Sequence, residues 1–223
     1  NAIQEATPRG WRKVMSLGQA GQARYGSEHP SSRKVTTAPI GNNALALSQL
    51  PDDAEQFPAA CRIRRLFESG IRTVAFQASA LKAACSADAP ATIAATGEGL
   101  GAVIHHLVTG PKDRYQTWLA HATEVVPGIE GMQTDIQGET IAVMAIMRGG
   151  ATVPLQRLSD GALRALALSA LPHQAAADAI FIVEAPESGI HPKGIAALSQ
   201  TLAEGSANQI LTTTYSGPWV AST

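Results

Sequence analysis

The carboxy-terminal third of the chain contains an apolar run, a helical pattern and a second apolar run, in that order. Residues 179–183 form a continuous apolar stretch, which is typical of a strand buried on both faces of a parallel sheet. Pro192 then opens a helical pattern that extends to Ala203, and residues 209–213 form a second buried strand. Two strands joined through a helix form a βαβ unit with a right-handed crossover. The sequence therefore predicts a parallel α/β core.

Two helices and an antiparallel meander are predicted upstream of this unit. The helical patterns cover residues 101–108 and 112–126, and Trp118 lies on the apolar stripe of the second one. The strand patterns cover residues 132–137, 140–147 and 151–155. We therefore expect an α/β fold in which a helical and antiparallel β insertion precedes the parallel core.

The amino-terminal segment has no clear periodicity. Glycines interrupt its helical patterns, and residues 27–37 are polar and include Pro30. We predict a poorly structured or linker-like segment over residues 1–50, a helical insertion over residues 51–131, and the core over residues 132–223.

Composition excludes several classes of protein. Hydrophobic residues make up 45% of the 223 residues, so a buried core is expected. The net charge of −1 argues against a general nucleic-acid coat and a polybasic membrane surface. No apolar run approaches the ~20 residues needed to span a bilayer. The charge balance and the lack of a spanning run predict that the protein has no membrane partner. Cys61 and Cys85 are too few for a disulfide scaffold, which predicts a cytoplasmic protein.

The helix that begins near Ser159 has the features of a phosphate site. Ser159 occupies the N-cap position, Asp160 lies in the first turn, and Gly161 permits close approach of a ligand. A hydroxyl and free backbone N–H groups at a helix start bind phosphate well. The alternative is a well-capped helix that simply follows a hairpin.

Polar residues follow both predicted parallel strands. Glu184 comes directly after the first strand, at the edge of the sheet where ligands bind, and one acid there suits a hydrated Mg²⁺. Polar residues also end and follow the second strand, within residues 211–216. The alternative for Glu184 is an acidic surface loop without a ligand.

Three segments in this order resemble the carboxy-terminal half of the ABC-type ATPase core. They are LSDGALR at residues 158–164 (the signature segment), VEAPESGIHP at residues 183–192, and TYSGP at residues 214–218. The sequence is similar to the predicted-ATPase family related to RecF, SMC and overcoming-lysogenization-defect proteins, whose corresponding segments resemble LSDGTLR, EEPENGLHP and THSP. The resemblance covers residues 155–217 and extends more weakly to Gly97. It implies a P-loop NTPase fold whose amino-terminal Walker A part is not seen in this chain.

The resemblance also implies roles for individual residues. Ser159 and Gly161, with Asp160 between them, would contact the γ-phosphate of ATP held by a second subunit and seal a head-to-tail dimer. Glu184 would be the Walker B acid that orients Mg²⁺ through water. Ser188 and Gly189 would lie in the loop that crosses the dimer interface.

The sequence departs from the family at three places. Ala185 replaces the glutamate that polarises the attacking water, and Tyr215 replaces the switch histidine. The sequence also contains no G-x-x-x-x-G-K-[ST] loop, and the glycine cluster at residues 96–101 has Glu98 in its middle, which predicts a helix-entry turn instead. Two explanations stay open: a Walker A segment upstream of the visible chain, or decay into a non-hydrolysing relative.

We therefore expect an ATP-binding module that acts as an ATP-gated dimer with impaired hydrolysis. Relatives couple such a cycle to DNA processing or phage defence, together with an effector protein, although this sequence shows no nuclease motif. The first alternative is a non-catalytic ATPase-like scaffold for protein assembly. A further alternative is DNA binding through four arginines, which are equally well explained as a solvated helix face: Arg62, Arg64, Arg65 and Arg72.

Overall fold

The computed structural model describes most of the chain as two compact units. The described residues are 2–7, 10–18, 21–29, 31–32, 34–41, 44–174, 179–204 and 208–222. The units comprise Asn1–Gly70 and Ile71–Thr223. Within the described ranges, every helix is too short or too polar to span a lipid bilayer.

The first unit contains a four-stranded antiparallel sheet and a helix. The strands pair in chain order and are β1 (Ala2–Thr7), β2 (Gly10–Leu17), β3 (Gln22–Gly26) and β4 (Val35–Pro39). Helix α1 (Pro58–Arg65) begins where the Glu28 carboxylate accepts hydrogen bonds from the backbone N–H groups of Ala59 (2.6 Å) and Ala60 (2.9 Å). This carboxylate satisfies N–H groups that the first helical turn leaves without partners.

These strands correct the predicted lack of structure in residues 1–50. The glycines that interrupt helical patterns lie at strand ends and turns: Gly10 begins β2, Gly26 ends β3, and Gly21 has a φ of 67° between β2 and β3. A glycine at such a position marks a turn. The division of the chain at residues 50 and 131 stays a prediction.

The second unit is a mixed α/β structure. Its elements are β5 (Ile71–Val74), α2 (Ala78–Leu81), β6 (Cys85–Ser86), α3 (Leu100–Thr109), α4 (Lys112–Val125), β7 (Ile129–Gln137), β8 (Thr140–Met147), β9 (Thr152–Pro154), α5 (Asp160–Ala170), β10 (Ile180–Glu184), α6 (Pro192–Glu204), β11 (Gln209–Thr213) and α7 (Gly217–Val220). The helices and strands from α3 to β11 lie where the sequence predicts them.

Two sheets organise this unit. A parallel sheet has the strand order β11-β10-β5, and a second, antiparallel sheet has the order β6-β8-β7 with β9 paired to β8. In the parallel sheet, Glu184 pairs with Thr213 and Val183 pairs with Val74. The βαβ unit, the meander and the α/β fold class are therefore confirmed. Strand β6, which pairs Cys85 with Ile141, was not expected.

The parallel sheet is buried more completely on one face than on the other. Phe181 and Val183 are buried in a core cluster that includes Leu198 of α6. On the opposite face, Leu211 is 48% exposed and Ile71 is 41% exposed. The prediction that strands β10 and β11 are buried on both faces is therefore wrong, because only alternate side chains reach the core.

A buried hydrogen bond fixes helix α4 against helix α5. Trp118 and Ser169 are both fully buried, and the Trp118 Nε1–H donates to Ser169 Oγ at 3.2 Å. The Ser169 hydroxyl in turn donates to the carbonyl of Leu166 at 2.9 Å. The predicted apolar stripe of α4 thus packs against the helix that carries the signature segment.

Candidate functional site

Three strand ends meet at the carboxyl edge of the parallel sheet. Strand β10 ends at Glu184, whose backbone pairs with Thr213 at the end of β11, and β5 ends at Val74 on the other side of β10. Glu184 is exposed. Ligands of open α/β sheets bind at this edge, so the acid lies where the sequence analysis expects it.

Gln77 also follows this edge, although the sequence patterns did not single it out. It comes three positions after the end of β5, and its backbone N–H donates to the carbonyl of Thr96 at 2.8 Å. A polar residue close to the end of a strand was the available signal. It went unused because the position of β5 beside β10 depends on a pairing between residues far apart in the chain.

The start of α5 has the predicted N-cap. Ser159 has an extended conformation, and its Oγ accepts a hydrogen bond from the backbone N–H of Ala162 at 3.2 Å. Asp160, in the first turn, forms an ion pair with Lys82 in which Nζ and Oδ1 are 2.6 Å apart. The capped helix start is therefore also linked to the segment that follows α2.

Gly161 lies directly against the loop that follows β10. A Cβ atom built on Gly161 would be 2.1 Å from the carbonyl oxygen of Gly189. Gly189 itself has a φ of 74°, in the left-handed region that favours glycine, and the neighbouring Ser188 is exposed. The signature segment and the predicted interface loop thus lie side by side within one chain.

Arg164 joins α5 to the end of the acid-bearing strand. Its Nη2 donates to the carbonyl oxygens of Ala185 at 3.2 Å and Glu184 at 3.5 Å. Burial lowers the pKa of Arg164, and the negative charge of Glu187 opposes this shift. The signature helix therefore holds the backbone at the position where the predicted Mg²⁺-orienting acid lies.

Ala185 occupies a strained position. Its φ is 43°, in the left-handed region that non-glycine residues rarely adopt, and its N–H donates to the Thr213 carbonyl at 2.8 Å. A methyl group at this position has no oxygen with which to accept a proton or orient water.

Glu187 is a second residue that the sequence analysis missed. Its Oε1 accepts hydrogen bonds from the Thr214 hydroxyl at 2.7 Å and from the Tyr215 N–H at 3.3 Å. Burial alone would raise the pKa of Glu187. However, hydrogen bonds from its own N–H, the Thr214 hydroxyl and the N–H groups of Tyr215 and Ser216 lower it below its usual value. An acid directly after a Pro in the strand-end turn was the signal available.

Tyr215 is fully exposed at the position that the resemblance assigns to a switch residue. Its backbone lies between Thr214, which binds Glu187, and Ser216, whose Oγ accepts from the N–H of Trp219 at 3.4 Å and caps α7. The ring therefore projects into solvent from a backbone segment that is held on both sides.

The glycine cluster at residues 96–101 forms the entry to α3. Gly99 is the N-cap with a φ of 92°, and a Cβ built on it would be 2.2 Å from the Thr92 carbonyl oxygen. The predicted helix-entry turn is confirmed.

Two of the four arginines considered for DNA binding make contacts inside the first unit. Arg64 forms an ion pair with Asp52 at 2.6 Å and donates to the Leu50 carbonyl at 2.7 Å. Arg65 donates to the Cys61 carbonyl at 3.4 Å. These contacts favour a structural role for this helix face.

The site residues fit a hydrated Mg²⁺ and a phosphate group. In the part of the chain that the structure describes, no three His, Cys, Asp or Glu side chains cluster as a metal cage would require. Mg²⁺ keeps several waters and needs only one or two carboxylates, which Glu184 can supply. Ser159 and Gly161 also line a cavity of about 970 Å³, together with the cationic side chains of Arg157 and Lys193 and with His191.

A family model described as "AAA domain, putative AbiEii toxin, Type IV TA system" matches residues 21–218, which is most of the chain. The chain belongs to this AAA-domain family.

Solved structures of SMC heads are similar to the chain at low identity. The SMC head domain from Thermotoga maritima has 9% identity and a TM-score of 0.37, with coverage of 98% of this chain and 65% of that one. The SmcHead bound to the C-winged helix domain of ScpA has 12% identity and a TM-score of 0.46, with coverage of 90% and 61%. The Smc head domain with a coiled coil and joint derived from Pyrococcus yayanosii has 10% identity and a TM-score of 0.39, with coverage of 54% and 24%. The chain spans less than two thirds of each of these chains. No curated protein matches it.

Proposed function

We propose that this AAA-family domain binds ATP with Mg²⁺ between two copies and that ATP closes the pair. The observation that carries the proposal is the contact of Arg164 with the carbonyl groups of residues 184 and 185. This contact joins helix α5 to the acidic end of β10, so the proposed phosphate-binding and metal-binding residues lie on elements that are directly connected.

Each predicted site residue has a part in this proposal. Glu184 would orient Mg²⁺ through a water molecule, because an exposed carboxylate at a strand end suits a hydrated ion. Ser159, Asp160 and Gly161 would face the triphosphate bound by the other copy, where the α5 dipole and nearby cations favour negative charge. Ser188 and Gly189 would contact the other copy directly.

Slow hydrolysis is part of the same proposal. Ala185 supplies no general base, because a methyl group cannot accept a proton from the attacking water. Bound ATP would then persist and keep the pair closed. The family description names a toxin, so we propose that closure controls an effector protein in phage defence or DNA processing in the cytoplasm.

The test is the mass of the protein in solution with and without Mg-ATP. Light scattering is expected to show dimers with millimolar Mg-ATP and monomers without it. Ser159→Arg should abolish the dimer by placing a long side chain at the phosphate-binding face, and Glu184→Gln should weaken it. Ser86→Arg and Glu139→Gln, at exposed positions outside the site, serve as matched controls. A mass that Mg-ATP does not change would contradict the proposal.

The second candidate is a non-catalytic scaffold, and the residues at positions 185 and 215 favour it. A ligand at a hundredfold excess over its Kd stabilises the folded state by about 2.7 kcal/mol. An unchanged melting temperature at millimolar Mg-ATP would therefore support the scaffold and exclude nucleotide binding in that range.

A further inference from the structure

We propose that Glu187 is a positioning residue that holds residues 214–216 (the switch segment) and links them, through Arg164, to the signature helix α5. The use of this link in a nucleotide cycle rests on the proposed function. Both residues lie in segments that carry the resemblance, but the resemblance assigns neither of them a role, and the contacts of this chain point to the link.

The first half of the link is the set of hydrogen bonds between Glu187 and the switch segment. One carboxylate oxygen, Oε1, accepts from both the Thr214 hydroxyl and the Tyr215 N–H, at 2.7 Å and 3.3 Å. The Ser216 N–H donates to Thr214 Oγ1 at 3.0 Å, so the same carboxylate orders a chain of three consecutive residues. Hydrogen bonds to an ionised acceptor are about twice as strong as neutral ones.

The second half is the contact of Arg164 with the turn that carries Glu187. Glu187 Oε2 and Arg164 Nε are both buried, and neither has a hydrogen-bond partner among the described residues. The negative charge of Glu187 acts on the Arg164 guanidinium, which donates to the carbonyls of residues 184 and 185. These carbonyl groups belong to the turn that carries Glu187, in which the Ser188 N–H donates to the Ala185 carbonyl at 3.0 Å. The position of Arg164 therefore depends on this turn, and Glu187 holds the turn against the switch segment.

The link connects three elements of the second unit. Helix α5, the turn after β10 and the turn after β11 contribute Arg164, Glu187 and Thr214, respectively. In a closed pair, the first element would face the nucleotide of the other copy, and the last two would face the copy's own nucleotide. A change at one nucleotide would thus reach the other through these two side chains.

Amide hydrogen exchange in the absence of nucleotide tests whether Glu187 holds the switch segment. Glu187→Ala should speed exchange at the Tyr215 amide about tenfold or more, because a factor of this size corresponds to the free energy of one hydrogen bond to a charged group. Glu187→Gln keeps one carbonyl oxygen as acceptor and should have a smaller effect. Glu139→Ala is the control at an exposed turn. Unchanged exchange at Tyr215 in Glu187→Ala would overturn the proposal.

Variants of Arg164 distinguish the link from a purely local structural role of Glu187, because a local role predicts no effect of Arg164 on exchange at Tyr215. Arg164→Met should speed exchange at Tyr215, although no hydrogen bond connects the two residues, and the double variant with Glu187→Ala should exchange no faster than Glu187→Ala alone. Arg157→Met, at an exposed arginine near the same helix start, should leave Tyr215 unchanged. The link would be refuted if the two substitutions had additive effects on the exchange rate at Tyr215, or if Arg164→Met left that rate unchanged. If exchange shows the link but Mg-ATP changes neither mass nor exchange, the link stands and the proposed function fails.

Discussion

The carbonyl oxygen of Gly189 occupies the space into which a side chain at Gly161 would project, because a Cβ built there stands 2.1 Å from it. Backbone from the loop after β10 therefore contacts backbone at the start of α5. This contact explains why the second position after the N-cap is a glycine, independently of any ligand.

We predict that Gly161→Ala destabilises the protein by about 1–3 kcal/mol, the usual range for an overpacked contact that the backbone must relieve. Urea unfolding measures the change. Gly217→Ala is the matched control, because a Cβ at that glycine would meet nothing within 4 Å. Equal stability of the two variants would show that the loop moves aside without cost.

Ala185→Gly should stabilise the protein by up to about 1 kcal/mol. A left-handed conformation is unfavourable for an L-residue and nearly free for glycine, although glycine also gains entropy in the unfolded chain. Ala221→Gly, at a residue with a φ of −73°, should instead lower stability. The two unfolding free energies, measured together, separate backbone strain from the general cost of glycine.

Ala185→Glu should raise ATP turnover about 10²-fold, as expected when a general base is added in position. This prediction rests on the proposed function. Phosphate release is measured against Ala185→Gln, which has the same shape without the charge. No difference between the two variants would place the cause of inactivity elsewhere, Tyr215 included.

The ion pair between Lys82 and Asp160 should contribute little to stability. Their side chains are 35% and 67% exposed, so water and salt screen the attraction, and about 0.2–1 kcal/mol is expected. A double-mutant cycle with Lys82→Met and Asp160→Asn measures the coupling. The coupling should shrink in 1 M salt, and a larger, salt-insensitive value would contradict this account.

Acidification from pH 6.5 to pH 4 should lower the free energy of unfolding, partly because of His173. Burial, with His121 and Arg114 nearby, lowers the pKa of His173 from 6.5 to about 4. Between these two pH values the unfolded chain binds a proton that the folded protein does not, so acid favours unfolding. His173→Gln should flatten the fall in unfolding free energy between pH 6.5 and 4, whereas His191→Gln, at an exposed histidine, should not. If the unfolding free energies of His173→Gln and the unsubstituted protein fall in parallel over this pH range, a role for His173 is excluded.

Local patterns were enough to predict the second unit from α3 onwards. Strand β11 follows from a short stretch that predicts a buried strand, and hairpin β7–β8 follows from apolar alternation and turn residues close together in the chain. The four strands of the first unit escaped prediction because their stability comes from pairing with one another. Residues such as Tyr25 are buried only when that sheet forms.

The same distinction applies to the site. The Ser159 cap involves a residue three positions away, so its geometry is implicit in the local sequence. The bond between Glu187 and Thr214 spans 27 positions and forms only because β10 and β11 are neighbours. Sequence patterns indicate which residues lie at strand ends, and tertiary pairing decides which of them touch.

The exposure of Tyr215 gives the protein a built-in chemical reporter. Of its three tyrosines, Tyr25 is buried, and the Tyr115 hydroxyl is bonded to the backbone of Met132. A reagent that nitrates phenol rings from solvent will therefore modify Tyr215 first. The absorbance of the nitrated Tyr215 ring would then report the binding of a ligand or protein at that edge of the sheet, and no external dye would be needed.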